Sequence, residues 1–567
     1  MKKPALALLI GAVLCACDSK PPHPNADVVI LHGDVRTMDS TRPNATALAI
    51  AGERIAFVGD DAGARKWIGG NTQVVDTAGA TVLPGLIDSH IHVAEGALAR
   101  GGCSLEDDQL TIEQAADKIK ACFANDKDSK WLIVTDVNAA GFKANRRELD
   151  AIVRDRPLFL WSSDGHSGWV NSRALELAKI TRKTPNPDDG RIERDARGEA
   201  TGFLVDGAVG LISSAMDQPT PAKRLEKLRW ILPQLHAAGI TSYLEANTDA
   251  ETVAAYAELA RLKQLTARVT IALESGGANT PAEFARLKGL RTQVGNDPLL
   301  RADFIKLFAD GAMEFPTQTA ALLEPYNNAD GRPGTSKGKL YLASDAMAAF
   351  IKQADADGFN VHIHAIGDSA VREALDALGV ARAAGSKRLY SIAHLQLIDA
   401  ADLPRFAALD VPVSLQLLWA QPDNYSIEAL TPWLGPERMA RQYPARSLAD
   451  HHTVIAGGSD WDVSSFNPFA AIATAMSRTN PEKPERGPLN VKEALTLDEM
   501  LTAYTINAAR LIGRDAEIGS LVVGKAADVI VLDGTLTKET AADTARKTRV
   551  AHTFFAGREM SRADAAH

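Results

Sequence analysis

The stretch Pro84-Gly85-Leu86-Ile87-Asp88-Ser89-His90-Ile91-His92 decides the reading of this 567-residue chain. It opens on a Pro-Gly turn signal, runs through a short apolar segment, and ends on two histidines two positions apart. In extended chain, residues i and i+2 face the same side, so both imidazoles can reach one cation. Strands that end on such side chains are what a parallel barrel presents at its C-terminal rim, where barrel active sites lie. Taken alone, a His-x-His pair is more often structural than metal-binding, so the rest of the chain must decide.

Working outward, strand-length apolar runs alternate with helical stretches. With TVLPGLIDSH as the first strand, the others are GITSYLEAN, RVTIALE, DFIKLFADG, NVHIHAIGD, SIAHLQ, VPVSLQ and TVIAGGSD. That makes eight, the number that closes a TIM barrel. Residues Pro221–Ala238 (despite Pro233), Ala343–Asp357, Asp368–Ala384 and Asp498–Ile512 read as helices between or after them. Strands that alternate with helices imply βα units and a parallel sheet. The two ends differ from the middle: DVVILHG, ATALAIAGERIAFVGD and QVVDTAG near the start, SLVVGKAADVIVLDG and VAHTFFAGREM near the end, are β-runs punctuated by Gly and Asp. The expected fold class is therefore α/β, a TIM (β/α)8 barrel over 82–512 with an insertion at about 97–220. A small β-sandwich is built from both termini, 26–81 and 513–567. The insertion holds one further strand-like run, PLFLWSSDG, and a Pro/Asp/Gly-rich segment.

Composition bounds the function. Hydrophobic residues make up 46% and charged residues 23%, which excludes a disordered chain, a collagen-like repeat and a disulfide-dense mini-protein. Lys and Arg number 62 against 71 Asp and Glu, a net charge of −9 that argues against a nucleic-acid partner.

The amino terminus reads as an export signal over 1–16: Lys2 and Lys3, then an apolar run from Ala5 to Ala16 too short for a membrane span of about 20 residues. A Pro-rich tether over 17–25 follows. Leu14-Cys15-Ala16-Cys17 resembles the lipobox of bacterial lipoproteins, which implies lipidation at Cys17 and a mature charge of −11, 60 basic against 71 acidic. The chain would then sit on the periplasmic side of a bacterial membrane, lipid-anchored; secretion after an Ala16-type cut is the alternative. In such an oxidising compartment Cys103 and Cys122 can pair as a disulfide, the alternative being two buried thiols.

Of thirteen histidines, His90, His92, His362, His364 and His394 fall at or near ends of the proposed strands. PGLIDSHIH resembles the first-strand signature of the amidohydrolase superfamily. The likeness continues through FIKLFADGA, VHIHAIGD, IAHLQ, AGGSD and the closing IGSLVVGKAADVIVLD. The order resembles the amidohydrolase family 3 branch typified by N-substituted formamide deformylases, as does DGHSGWVNSRAL in the insertion. The resemblance implies a barrel of the metal-dependent hydrolase type and a metal centre of one or two divalent ions, zinc by its imidazole and carboxylate donors. His90 and His92 would bind the more buried ion. Lys306 would bridge the two ions as a carboxylated side chain. His364 and His394 would bind the second ion, with His362 as the competing ligand on the fifth strand. Asp460 would bind the first ion and shuttle the proton.

The implied chemistry is cleavage of a non-peptide C–N bond of a small molecule by a metal-activated hydroxide. Without the resemblance, Lys306 reads as a salt-bridge partner and Asp460 as a turn residue beside Gly457-Gly458. His166 is expected to contact substrate, with Trp161 and Trp169 walling an apolar pocket. His236, His451 and His452 read as structural, and the loop Glu314–Tyr326 as a specificity loop. Ring deaminases of the same superfamily carry a Glu soon after the fifth-strand histidine; His364-Ala365-Ile366-Gly367-Asp368 has none. Cyclic-amide or D-acylamino-acid hydrolysis, and a non-catalytic small-molecule-binding lipoprotein, stay open. The expected partners are a small-molecule substrate, no nucleic acid, membrane contact through the lipid anchor only, and a homodimer as a permitted assembly.

Overall fold

The computed structural model describes residues 25–100, 102–125 and 129–560. The export signal, Cys17 and most of the tether lie outside the described residues.

Eight parallel strands form a nearly closed barrel. In chain order they are Leu86–Ile91, Ile240–Thr248, Arg268–Glu274, Leu300–Phe308, Asn360–Ala365, Tyr390–His394, Val413–Leu415 and Ile455–Gly457, and each lies beside its sequence neighbour. These are the eight runs read from the sequence. They are apolar on both faces because helices cover the outside and side chains fill the inside. The helices follow local rules. Thr220 caps Pro221–Ala237 by accepting from Lys223 N, with Pro221 in the first turn where its missing N–H costs nothing. Asp249 and Thr280 cap Ala250–Arg261 and Pro281–Val294 in the same way. The seam between the eighth and first strands is held by side chains: Ser89 Oγ donates to Gly457 O at 2.8 Å and lies 2.7 Å from Ser414 Oγ.

The sequence reading of TVLPGLIDSH as one strand is corrected. Thr81–Pro84 pairs with Asp34–Arg36 and Val529–Leu532 in a sheet outside the barrel, and the barrel strand begins only at Leu86. The break falls at Gly85, where a Cβ would come 2.2 Å from Thr241 Oγ1. The helix read over Asp498–Ile512 is likewise in pieces, Leu497–Thr502 and Ala508–Leu511 joined by a wider turn at Ala503–Asn507.

Outside the barrel, a four-stranded sheet comes from the first 76 residues, and a six-stranded sheet joins strands from both ends of the chain. Val28, Ile30 and Leu48 of one meet Val82, Val529 and Phe554 of the other in a shared apolar core. A third sheet, six strands between Cys103 and Asp206, belongs to the segment inserted after the first barrel strand. It has its own cores, one around Leu132, Leu160 and Phe203 and one around Phe159, Leu204 and Ile212. A disulfide joins Cys103 to Cys122, with Cα atoms 5.7 Å apart. No helix among the described residues is long and apolar enough to cross a membrane.

Candidate metal centre

The C-terminal rim of the barrel gathers the histidines and one carboxylate. His90 closes the first strand and His92 lies just past it. Asp460 lies in the turn after the eighth strand, at φ +54°. Its backbone N donates to His90 O at 2.8 Å, and His92 N donates to Trp461 O at 2.7 Å. The turn can come this close because residue 458 is glycine: a Cβ there would meet Ser414 Oγ at 2.7 Å and His90 Cβ at 3.0 Å. Asp88, buried, completes the clamp by accepting from His90 N at 3.1 Å and Ser459 N at 3.0 Å.

The result is a convergence of donor atoms. His90 Nε2 and His92 Nε2 each lie 3.1 Å from Asp460 Oδ1. Lys306 Nζ lies 3.1 Å from His90 Nε2. His394 stands across the cluster, its Nδ1 3.9 Å from Asp460 Oδ2 and its ring centroid 4.5 Å from that of His364. Asp460 Oδ1, His92 Nδ1 and both ring nitrogens of His394 are buried without a hydrogen-bond partner. Buried polar atoms normally find partners. Asp460 Oδ1 and the His394 ring nitrogens, left without partners beside His90 Nε2 and His92 Nε2, are donors that a cation would satisfy, so the residues fit a metal ion. His90, His92 and Asp460 form the tightest set, their ligand atoms within 4.8 Å of one another.

Electrostatics agree. Burial pushes the His90 imidazole down to about 3, with Lys306 beside it adding to the fall. Burial also holds His364 and His394 well below the usual imidazole range. Neutral imidazoles carry the lone pair that ligation needs. Burial would raise the Asp460 carboxyl, but the His90 and His394 rings facing it outweigh that and hold it well below the usual carboxylate range. For His92 burial pulls down and Asp460 pulls up harder, leaving it at about 8. Burial brings the Lys306 amine down to about 7, against the pull of Asp460.

His362 is turned away from this space. Its Nε2 lies 2.7 Å from His90 Nδ1, and its Nδ1 lies 2.7 Å from Ser391 Oγ. It supports His90 from behind. His364 turns Nε2 to Gly311 O at 3.3 Å. Asp310, fully buried, ties the same loop: it accepts from Ile366 N and Gly367 N at 2.9 Å and from Ala321 N at 2.8 Å. His166 of the insertion reaches the rim, its ring centroid 5.4 Å from that of His364. Trp169 instead packs in the insertion's own core, and Trp161 against Phe159. His236 is buried on the far side of the barrel against Thr266 and Phe555.

Sequence reasoning did not single out Asp88 or Asp310, although both lie inside the motifs it quoted. Trp419 was also passed over; its ring is parallel to His394 within 3° at 5.7 Å. A lone aromatic after a short strand carries no local signal for such a place.

A barrel with a histidine–aspartate cluster at its C-terminal rim defines a class, barrel proteins whose rim can hold a metal ion. The comparisons narrow it. The amidohydrolase family model matches residues 73–560, and the chain belongs to that family. It is an amidohydrolase, a hydrolase of carbon–nitrogen bonds other than peptide bonds. It is 28% identical to an N-substituted formamide deformylase from Arthrobacter pascens, over 89% of this chain and 93% of that one. It is 27% identical to the putative amidohydrolase YtcJ of Bacillus subtilis, over 82% and 86%. Among solved structures, an uncharacterised metal-dependent hydrolase from Pyrococcus furiosus shares the fold, with a TM-score of 0.67 at 24% identity over 89% of this chain and 98% of that one.

Proposed function

We propose that the chain hydrolyses a small amide of the N-substituted formamide type, holding one or two zinc ions at the barrel rim. The observation that carries this is the convergence of His90 Nε2 and His92 Nε2 on Asp460 Oδ1, faced by the unpartnered nitrogens of His394. The likeness to a formamide deformylase over nearly the whole of both chains supports the substrate class. His90, His92 and Asp460 would hold the first ion, and His364 and His394 the second, with Lys306 between them. When bound, such an ion supplies Lewis acidity to a water and to the substrate carbonyl.

The chain's own residues do the rest. Asp460, held as an anion, takes the proton of the attacking water and passes it to the leaving nitrogen, a general acid–base role. Lys306 is buried beside His90, and burial brings its amine down to about 7, where part of it lacks its proton near neutral pH. Addition of a neutral amine to carbon dioxide, forming an N–C bond and releasing one proton, would give a carbamate whose oxygens could serve as further donors to the ions. His166 contacts the substrate from the insertion. The chain is exported and held at the periplasmic face through lipidated Cys17; this rests on the lipobox-like sequence alone.

The test is hydrolysis of a panel of N-alkyl and N-aryl formamides and acetamides by the zinc-loaded enzyme. We expect turnover of formamides, a loss of about 10²–10⁴-fold for Asp460→Asn, and no detectable turnover for His90→Ala. Full turnover by Asp460→Asn would sink the proposal.

A further inference from the structure

The insertion enters the site through one side chain, His166, and that side chain is gripped from two elements. Strands Ser167–Val170 and Ala200–Asp206 pair antiparallel, which brings Asp206 beside His166. Asp206 N donates to His166 O at 2.7 Å, and His166 Nδ1 lies 2.6 Å from Asp206 Oδ1. The second carboxylate oxygen of Asp206 accepts from Tyr341 Oη at 2.6 Å. Tyr341 belongs to the loop after the fourth barrel strand, so the barrel holds the carboxylate that holds the histidine. A Cβ at Gly311 would come 2.5 Å from Tyr341 Oη and 3.0 Å from Asp206 Oδ1; the glycine after Asp310 makes room for this pair.

The presenting turn is fixed as firmly. Asp164 Oδ1 accepts from His166 N at 2.9 Å and Ser167 N at 3.1 Å, while its Oδ2 accepts from Thr317 Oγ1 of the same barrel loop at 3.1 Å. Asp206 itself sits at φ +50°, ψ −127°, a conformation that a non-glycine residue adopts only under strain. Such strain persists only where the surroundings over-determine it. With Nδ1 engaged by Asp206, Nε2 is the ring nitrogen left to meet a ligand at the rim.

We propose that Asp206 is a positioning residue for the reaction: with Tyr341 it fixes the His166 ring so that Nε2 meets the polar head of the amide at the metal centre. This rests on the hydrolase reading above. Asp206 touches neither the metal ligands nor the substrate and acts only through His166.

Two measurements on the full chain test it, chosen to fail separately. In the first, the low-field ring proton of the His166 Nδ1–Asp206 bond is followed by NMR and assigned by its absence in His166→Asn. We expect it to vanish in Asp206→Asn and to persist, shifted, in Tyr341→Phe. In the second, kcat on a hydrolysed formamide is expected to fall about 10–100-fold in Asp206→Asn with KM little changed and zinc content unchanged. The double variant with His166→Asn should lose no more than His166→Asn alone, because both act through one group. A ring proton that survives Asp206→Asn, or losses that multiply in the double variant, would overturn the proposal. If no amide is turned over, the kinetic half falls with the hydrolase reading, and the ring proton still decides whether Asp206 holds His166.

Discussion

His90 carries the most structural constraint of any residue at the rim. Its Nε2 faces Asp460 and Lys306, and its Nδ1 faces His362. Those two contacts fix the ring in rotation. The period of two placed His362 and His364 on one face of the fifth strand and treated them alike, and only the family resemblance favoured His364 as the ligand. The structure separates them by depth: His362 is sealed between His90 and Ser391, whereas His364 lies at the open end beside His166. Partners behind a metal-binding histidine typically change affinity or activity by about 10–100-fold when removed. His362→Ala is therefore expected to weaken zinc binding by about that factor while leaving the number of ions per chain unchanged, as read by titrating metal into apo-enzyme. An unchanged affinity would mean that His362 orients nothing; a lost ion would make it a ligand.

At the scale of elements, the barrel strands were legible and the insertion's, apart from PLFLWSSDG at Leu158–Ser162, were not. Each barrel strand is an apolar run bounded by turn residues, because both of its faces are buried. The insertion's strands are short and mixed, as in Ser167–Val170, and the pairing that sets Ser167 opposite Val205 joins residues far apart in sequence. Asp206 reaches His166 only through such a pairing, so nothing local marks it. The helix Pro221–Ala237 offers a test away from the site. It ends at Gly239, at φ +83°, and buries His236 beside the terminal-domain strand Val550–Phe555. Thr553 Oγ1 donates to His236 O at 2.7 Å. Burial drives the His236 imidazole down to about 4. In the unfolded chain it titrates near 6.5, so between these values the unfolded state binds the proton and the folded state does not. Its contribution is present above pH 6.5 and is lost as pH falls through 4, on the order of 3 kcal/mol. Denaturation at pH 7 and pH 4 should show a smaller acid loss for His236→Gln than for the parent chain, and an equal loss would contradict this.

At the scale of the whole molecule, both ends of the chain and the barrel act as one body. Strand Val529–Leu532 pairs with Thr81–Pro84, the segment that leads directly into the first barrel strand. Buried Asp528 accepts from Arg268 of the third barrel strand at 2.7 and 3.2 Å. The matching texture of the two termini suggested a shared sheet, but the join at Gly85 was hidden because Thr81–Pro84 and Leu86–Ile91 are equally apolar. The insertion is tied over the rim from several barrel loops: Thr317 to Asp164, Tyr341 to Asp206, and Tyr425 Oη to Asp107 at 2.6 Å. The insertion thus lies as a roof over the rim that carries the convergent ligands. The central claim is that these ligands form a metal centre. Its most direct test is metal per chain by elemental analysis of the full-length protein, purified without chelator, beside His92→Ala and Asp460→Asn. One or two divalent ions per chain are expected, with at least one lost in His92→Ala. A protein that carries no divalent metal, and hydrolyses amides undiminished after exhaustive chelation, would contradict it.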